Sequence, residues 1–387
     1  MNINKTVKNV LVTGARAPVT LHLCRLFKSK GINVFVADCT PYPISKASNV
    51  VSEFFLIPSP KLNTNTFVEE TKKIIQKFHI DLIIPTCEET FYLSKFKDEF
   101  NCDVFVDTID KLTLLHNKLD FIEFIKSIGW DTPETIHTND LNQCKEHLIQ
   151  SSHHKFVMKP IYSRFSDKVS FTTKELLLSE SEKLLPGWII QQRIEGNQYC
   201  SYSIAKDGKL LAHTVYKTEF TAGIGATIAF NHTNVPSITQ FVSDVVAKLN
   251  FSGQIAFDFI MDNSGIPYPI ECNPRATSGL HLFSEELVPV ITENKNSTLL
   301  TPSSDQKTAL KLALLIYGHH YWNSTLNFKK WLHTFFSHTD IVYNKEDKKP
   351  FFYQVYSMYQ LWIQSKKHKH SLLEQTTYDI SWDGEEQ

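Results

Sequence analysis

The sequence predicts a mixed α/β and α+β protein, and three observations support this class. Apolar runs alternate with amphipathic helical segments over residues 8–107. Period-two alternation and glycine-containing turns, which are typical of antiparallel hairpins, take over within residues 155–273. The chain has 387 residues, which is enough for two or three domains.

The first part of the chain shows the strand–helix alternation of a doubly wound α/β domain. A buried parallel strand is predicted over residues 8–13 and closes at Gly14. A helix follows over about 17–30, with Pro18 in its first turn and Gly31 after its last. Further strands are predicted over 33–38, 81–86 and 103–107, and an amphipathic helix over 66–78.

Ligands of such a domain bind at the carboxyl ends of its strands, which here carry Gly14–Arg16, Asp38 and Thr86–Glu89. A dinucleotide-dependent oxidoreductase is one alternative, because Asp38 stands where an acidic residue could bind a ribose. The turn TGARAP, however, offers only Gly14 for close approach to a pyrophosphate, whereas the dinucleotide pattern has three glycines. The turn therefore favours a different ligand.

The overall composition argues against several classes of protein. Hydrophobic residues make up 42% and charged residues 21%, as in ordinary soluble enzymes. The net charge of −1 gives no whole-chain attraction to nucleic acid or membrane lipid, and the longest apolar run near the end is too short to span a bilayer. Seven scattered cysteines without a CxxC pair, and a start without a signal-peptide pattern, predict a cytoplasmic protein without disulfides or zinc.

Arginine is scarce, since only five of the 40 basic residues are Arg. A chain that otherwise uses lysine is expected to keep arginine where a bidentate fork is needed. This bias directs attention to Arg164 and Arg275.

The middle of the chain predicts helices and antiparallel strands. A helix is predicted over 112–129, a strand over 155–160 that ends at Lys159–Pro160, and a helix over 236–250. Residues 187–196 predict a strand that runs into a glycine turn, followed by a hairpin over 198–216. The last part, 300–387, predicts aromatic-rich helices and a final edge strand, TTYDISW (376–382).

The clearest hairpin covers residues 254–273 and gathers polar groups on one face. If Met261 pairs with Ile266, Asp258 lies opposite Pro269 and Glu271 is its diagonal neighbour. Asn273 shares this face because successive side chains alternate along a strand. The other face carries an apolar set for the core, namely Ile255, Phe257, Phe259, Tyr268, Ile270 and Cys272.

Two carboxylates and an amide on one face favour Mg²⁺ over zinc or copper, because every ligand atom is oxygen. Magnesium held by two or three protein oxygens usually completes its shell with phosphate oxygens, so the set predicts a nucleoside triphosphate. Pro274 ends the strand and Arg275 follows with a permanently charged fork. A polar strand end that faces water is the alternative for this stretch alone.

On these motifs the chain resembles the ATP-grasp superfamily, most closely its carbamoyl-phosphate-synthase-like branch, over roughly residues 8–290. The stretch DFIMDNSGIPYPIECNPR is similar to the metal-binding strands of that family. The resemblance implies a Rossmann-like N-terminal domain (1–111), a two-lobed ATP-grasp domain (112–295), and a C-terminal extension (296–387) that caps the substrate or makes a dimer.

The resemblance also implies the cofactors and the roles of individual residues. ATP and two Mg²⁺ ions, which Mn²⁺ could replace, would be held between the lobes. Asp258 would bind one ion, Glu271 would bridge both, and Asn273 would bind the second. Arg275 would neutralise the transferred phosphoryl group, with Lys159 and Arg164 as further catalytic groups.

Motifs that precede these strands follow the order of the family. Lys118 in HNKLDF and Lys159 in VMKP resemble the two lysines that hold the ATP phosphates. The hinge motif IIQQRIEGNQY would read adenine through Gln191 and the backbone near Ile194, and would meet the ribose through Gln198. Substrate contacts are implied for Glu88, Arg164, Gly223 and Arg275.

The function implied is that of a carboxylate–amine or carboxylate–thiol ligase acting on small molecules through an acyl phosphate. Two departures motivate an alternative, a catalytically weak ATP-binding regulatory or scaffold protein. The segment after Lys159, IYSRFSDKV, lacks the glycines that many relatives use to cover the phosphates. In addition, Gln191 and Gln198 stand where glutamates are common.

Overall fold

A computed structural model confirms the predicted fold class of an α/β region followed by an α+β region. The structure describes residues 6–162, 169–179, 186–223, 225–293 and 298–384. Within these ranges the strands form sheets of five, four, four, three and two strands. Three of these sheets position the candidate site.

The N-terminal sheet has five strands: β1 (Asn9–Thr13), β2 (Asn33–Asp38), β3 (Glu53–Leu56), β4 (Leu82–Ile84) and β5 (Asp103–Val104). Its helices are α1 (Pro18–Ser29), α2 (Thr64–Phe78), α3 (Glu89–Lys95) and α4 (Ile109–His116). All pairs are parallel, in the order β3-β2-β1-β4-β5. The order reverses between β1 and β4, so the crevice at their carboxyl ends is a topological switch point.

Strand β3 was not predicted from the sequence. It lies at the edge of the sheet, and none of its four residues is fully buried. A strand without one buried face shows no alternation of apolar and polar residues, which is the signal that sequence analysis uses.

The second sheet, called here the β7 sheet, is antiparallel in the order β6-β9-β7-β8. Its strands are β6 (Thr135–His137), β7 (Lys155–Pro160), β8 (Ser170–Thr173) and β9 (Trp188–Gln192). The helices around it are α5 (Lys118–Ser127), α6 (Leu141–Gln150) and α7 (Lys174–Ser179).

The third sheet, called the β15 sheet, is antiparallel in the order β11-β10-β15-β16. Its strands are β10 (Gly196–Lys206), β11 (Lys209–Lys217), β15 (Gly253–Asp262) and β16 (Pro267–Asn273). Helix α8 (Pro236–Lys248) covers its apolar face, where Phe241 packs edge-on against Phe257 and Phe259. The remaining elements here are β12 (Thr221–Ala222), β13 (Ala226–Thr227), β14 (Ala229–Asn231) and α9 (Leu287–Thr292).

The last part of the chain is mainly helical. It contains β17 (Lys307–Ala309), α10 (Lys311–Tyr317), α11 (Thr325–Ser337), β18 (Thr339–Asp340), α12 (Lys349–His368) and α13 (Leu372–Gln375). None of the helices in the described ranges combines the length and the apolar character needed to cross a membrane.

The single helix predicted over 112–129 is wrong, because the chain breaks at Asn117 into α4 and α5. Asn117 has a non-helical ψ of 113°, and its side-chain oxygen accepts hydrogen bonds from the backbone N–H groups of Leu119 and Asp120. This is an N-cap, which satisfies donors that the first turn of a helix leaves unpaired. As a consequence, Lys118 is the first residue of α5.

The edge strand predicted over 376–382 is also wrong. The segment that follows α13, residues 376–384 and called here the tail, lies across the carboxyl ends of the N-terminal sheet without joining any sheet. Its main anchor is Asp379, whose carboxylate accepts from Arg16 Nη1 at 2.6 Å and from Nη2 at 2.9 Å. Asp38 at the end of β2 binds the same guanidinium. The tail is therefore held by ion pairs between side chains and by stacking of aromatic rings. The strand propensity of its residues does not predict these contacts.

We expect Asp379→Ala to detach the tail and to cost about 1–3 kcal/mol of unfolding free energy, because a mostly buried charged hydrogen-bond partner is lost while Asp38 still pairs Arg16. Arg16 lowers the pKa of Asp379. The contribution is therefore full above the ordinary Asp pKa of about 3.9 and disappears as the pH falls through the lowered value. Urea unfolding of wild type and variant from pH 7 to pH 2 measures it.

The matched control is Asp383→Ala, which breaks a half-exposed ion pair with Lys61 in the same tail and should cost less than about 1 kcal/mol. The thiol of Cys39, which donates to Asp379 at 3.1 Å, should also become more readily alkylated in Asp379→Ala. Equal stability and equal Cys39 alkylation in the two variants would contradict the anchoring role.

Candidate active site

The β15–β16 hairpin differs in register from the sequence prediction. Met261 pairs with Pro267 instead of Ile266, so an uninterrupted ladder would place Asp258 opposite Ile270. The register shifts between Phe259 and Asp258, which leaves Ile270 unpaired and brings Glu271 opposite Asp258. Such a β-bulge adds one residue to one strand. The bulge places the two carboxylates directly opposite each other, whereas the predicted register made them diagonal neighbours.

The bulge also changes the apolar side of the hairpin. Ile255, Phe257, Phe259 and Cys272 are buried in the core as predicted. Tyr268 and Ile270 are only half-buried, and Pro267 and Pro269 are buried instead. The face of β16 near the turn is therefore reversed relative to the prediction.

Asp258, Glu271 and Asn273 come together at one end of this hairpin, as predicted. Asp258 is paired with Glu271, and the Asn273 amide nitrogen lies 3.5 Å from Asp258 Oδ2. Burial first, and then the negative charge of Glu271, raises the pKa of Asp258 to about 6. Two carboxylates that repel each other at a partly buried position, beside an amide oxygen, form a set that a hard divalent cation would stabilise.

Arg275 continues the site beyond the end of β16. Its Nη2 donates to Asn273 Oδ1 at 3.0 Å, and its Nη1 donates to the carbonyl oxygen of Ala276 at 3.1 Å. The side chain is half-buried, so a guanidinium with five donors keeps a charged edge for an anion. Its hydrogen bond to Asn273 orients both residues.

Lys159 reaches this hairpin from the end of β7 and joins the two sheets. Its Nζ donates to the carbonyl oxygen of Ile270, the bulged residue, at 2.9 Å. Burial first, and then the positive charge of Lys118, lowers the pKa of Lys159 to about 7. A buried amine with such a pKa gains its charge when an anion binds nearby.

Lys118 approaches the same hairpin from the first turn of α5. The residue is only 2% exposed, and its Nζ lies 3.8 Å from Glu271 Oε2. Its Nζ and its backbone N–H also lie 3.5 and 3.4 Å from the carbonyl oxygen of Ile161. One lysine from helix α5 and one from β7 thus face two carboxylates of the β15–β16 hairpin, which suits a phosphate chain bridged by a metal ion.

The three predicted hinge residues lie in or beside the connection between β9 and β10. Gln191 is buried in β9 and donates to Thr135 Oγ1 at 3.0 Å. Ile194 is half-buried in the connection, and Gln198 lies in β10 opposite Ile260. The structure places these residues at the junction of the two sheets, and their contacts with a nucleotide stay predictions.

Glu88 differs from the expectation that it faces a substrate. It is buried, and its carboxylate accepts from the backbone N–H of Trp382 in the tail at 3.2 Å, with His116 Nε2 at 4.0 Å. The neighbouring Glu89 accepts from Thr13 Oγ1 at 2.7 Å. The tail therefore fills the part of the crevice where sequence analysis expected a ligand.

Two other predicted substrate residues have different outcomes. Gly223 is exposed in the β12–β13 connection, with a φ of +67° that favours glycine, and its carbonyl oxygen accepts from Thr221 Oγ1 at 2.9 Å. Arg164 lies outside the described residues. A role in binding substrate remains a prediction for both.

Sequence analysis missed three residues that support the site. Cys200 in β10 pairs with Asp258, and its thiol hydrogen bond stabilises the charged carboxylate. Asn117 caps α5 and so places Lys118, while the ring of Tyr162 contacts Gly384 of the tail. The cap has a local signal, an Asn before a helical run. The pairings of Cys200 and Tyr162 depend on distant parts of the chain.

A wider metal centre is absent from the part of the chain that the structure describes. No group of three or more His, Cys, Asp and Glu side chains there could hold a metal ion. At the candidate site, the side-chain atoms that Asp258, Glu271 and Asn273 can offer to a metal ion are all oxygen. This set fits magnesium with part of its shell supplied by a phosphorylated ligand.

Comparisons with known proteins identify a domain and a fold. A family model described as "ATP-grasp domain" matches residues 115–279. N5-carboxyaminoimidazole synthetase from Staphylococcus aureus superimposes with a TM-score of 0.65 at 13% identity, over 84% of this chain and 88% of that one. L-amino acid ligase from Bacillus licheniformis gives 0.55 at 14% identity, over 76% and 72%. None of the curated protein sequences matches the chain.

A third similar structure is the biotin carboxylase domain of 2-oxoglutarate carboxylase from Hydrogenobacter thermophilus, solved as a dimer with MgADP, ADP and bicarbonate. Its TM-score is 0.57 at 16% identity, and the match covers 71% of this chain and 65% of that one, just under two thirds. At such identities the likeness shows the fold, and the family match agrees with it. Residues 115–279 therefore match the model of an ATP-grasp domain, and the similar structures share the fold over most of the chain.

Proposed function

We propose that this protein is an ATP-dependent ligase that phosphorylates a substrate carboxylate and couples the acyl phosphate to an amine or thiol. The observation that carries the proposal is the meeting of Asp258 and Glu271 with Lys118 and Lys159, beside Arg275. ADP and phosphate are the other products. The MgADP complex of a similar structure supports ATP and magnesium as the ligands.

Asp258, Glu271 and Asn273 would hold one or two Mg²⁺ ions, or Mn²⁺ in their place. The ions would screen the phosphate oxygens and orient the γ-phosphoryl group for transfer. The pKa of Asp258, raised by burial and by Glu271, would fall once a divalent cation replaces the repulsion with attraction. Cys200 keeps this carboxylate oriented from the neighbouring strand.

Lys118 and Lys159 would hold the ATP phosphates as point charges. Lys159 starts from a lowered pKa, so a triphosphate that binds beside it would return the amine to its charged form. Gln191, Ile194 and Gln198 would contact the adenosine part from the hinge. In this arrangement the protein contributes positioning and charge neutralisation rather than covalent chemistry.

Arg275 would neutralise the phosphoryl group in transfer and the acyl phosphate that results. Its hydrogen bond to Asn273 fixes the guanidinium beside the metal-binding set, and its half-buried edge is open to an anion. Arg164 would assist from the segment after Lys159, and Gly223 would contact the substrate. Small carboxylates and amines are the proposed partners, with a cytoplasmic location and a homodimer as further expectations.

The alternative is an ATP-binding regulatory or scaffold protein of ATP-grasp fold with little turnover. One observation favours it. The tail fills the N-terminal crevice, with Trp382 donating to Glu88, so that part of the crevice is closed to a substrate. Buried lysines and partly buried carboxylates beside Arg275 favour the ligase, since a nucleotide sensor needs no group to clamp an acyl phosphate.

The deciding experiment is ADP release from ATP–Mg²⁺ with pairs of candidate acids and amines. A productive acid labelled with ¹⁸O in its carboxylate should transfer one labelled oxygen to phosphate, because the acyl phosphate carries that oxygen to the leaving group. Turnover that puts no label into phosphate would exclude the acyl-phosphate route. Tight ATP binding without ADP release for any pair would favour the regulatory alternative.

We expect ATP–Mg²⁺ at about 100 times its Kd to add roughly 2.7 kcal/mol to the stability of the wild type. Glu271→Gln should lose most of this gain, because the residue proposed to bridge the metal ions is neutralised. Thermal unfolding with and without ATP–Mg²⁺ measures it. The control is Glu146→Gln, an exposed glutamate on α6, which should keep the full gain. An unchanged gain in Glu271→Gln would place the nucleotide elsewhere.

The affinity for ATP–Mg²⁺ should fall as the pH rises above about 7. Lys159 is charged below its lowered pKa and neutral above it, so binding at higher pH must first take up a proton, which weakens affinity by up to tenfold per pH unit. Lys159→Arg carries a permanent charge and should lack this dependence. Calorimetric titrations from pH 6 to pH 9 test it, and equal slopes in the two proteins would refute it.

A further inference from the structure

Helix α12 has its apolar side turned outward. Three of its 20 residues are buried, namely Pro350, Ser357 and Ser365. Ser357 donates to the carbonyl oxygen of Tyr42 at 2.6 Å, and the helix also contacts the body of the protein through Phe351 and through an edge-on contact of Tyr356 with Tyr42. A surface helix normally does the opposite and buries its apolar stripe.

The exposed side of α12 is a continuous apolar stripe, called here the α12 face. Phe352 is 68% exposed, Val355 59%, Tyr359 55% and Trp362 50%. Their spacing of three or four residues places them on one side of the helix. Exposed patches of this kind mark binding surfaces. The full set is Phe352, Val355, Tyr356, Tyr359, Trp362 and Ile363.

The charges around this face are mostly positive. Residues 306–370 contain ten lysines and three acidic residues, although the whole chain has a net charge of −1. Helices α10, α11 and α12 contain no Asp or Glu. One of the three acids, Asp347, is buried against Arg25. Exposed lysines flank the stripe at both ends, at 348–349 and at 366, 367 and 369.

We propose that the α12 face binds an anionic membrane surface. An interfacial helix buries aromatic and aliphatic side chains at the boundary of headgroups and acyl chains, while lysines attract anionic headgroups. Trp and Tyr, which prefer this boundary, make up half of the six stripe residues. The contact is peripheral and lies outside the candidate active site.

Charge favours a lipid surface over a second copy of the chain. Two copies that met through α12 would bring lysine clusters together. The cluster at 366–369 of one copy would lie against the cluster at 348–349 of the other, or each cluster would lie against the same cluster of the other copy. A nucleic acid would satisfy the lysines and would leave Val355 and Ile363 without an apolar partner. Helix α11 has the same combination, with Leu326 and Phe336 more than 70% exposed beside Lys329 and Lys330.

Co-sedimentation of the full chain with phosphatidylcholine vesicles, with and without about one third phosphatidylserine, tests the proposal. We expect binding to the anionic vesicles that weakens as salt rises, and at least tenfold weaker binding to neutral ones. Tyr359→Ser with Trp362→Ser should weaken anionic binding at least tenfold. Lys366→Glu with Lys367→Glu should do the same and reduce the salt dependence.

A matched charge control is Lys209→Glu with Lys248→Glu, two exposed lysines on the β15 sheet and α8, which should leave vesicle binding unchanged. Thermal unfolding of each variant checks that it is folded. Absent binding to anionic vesicles, or equal binding to both kinds, would overturn the proposal. Sedimentation equilibrium showing a dimer that Trp362→Ser dissociates would overturn it in favour of a second copy.

Discussion

The hydrogen bond from Lys159 Nζ to the carbonyl oxygen of Ile270 connects the parts of the candidate site. Lys159 belongs to the β7 sheet and Ile270 to the β15 sheet, so one contact sets the position of Lys159 relative to β16, which carries Glu271 and Asn273. The acceptor is available because the bulge leaves Ile270 without a partner across the hairpin. The same bulge brings Asp258 opposite Glu271, so the carboxylates and the lysine depend on one local irregularity.

Around that bond, groups of like charge stand close together on both sides of the site. Asp258 and Glu271 repel each other, as do Lys118 and Lys159. Burial is the larger cause of the raised pKa of Asp258 and of the lowered pKa of Lys159, and the neighbouring like charge adds to each shift. Attraction between Lys118 and Glu271 offsets part of this repulsion. A phosphate chain with a divalent cation would relieve both repulsions. Its phosphate oxygens would face the lysines, and the cation would face the carboxylates. The site is thus arranged for a charged ligand at some cost in stability.

The C-terminal residues connect the N-terminal sheet to the candidate site. The tail is fixed by Asp379 on Arg16 and by Trp382, whose ring stacks on Phe91 with centroids 5.7 Å apart. Two residues later, Gly384 contacts the ring of Tyr162, which belongs to the segment after Lys159. In the same region, α12 turns aromatic side chains outward. The extension therefore packs on the crevice through one segment and presents a separate surface through another.

The sequence by itself determined the fold class, the hairpin over 254–273 and the residues that gather at its end. Strong periodicity carries that information, because a strand with one buried face needs alternating side chains. Only the tertiary structure decided the register and the bulge, since the alternation of side chains does not specify whether Met261 pairs with Ile266 or with Pro267. Long-range contacts also decided that Glu88 meets Trp382 and that TTYDISW lies on Arg16 outside any sheet. The partner in each case is more than 290 residues away in the chain, and no local pattern records it.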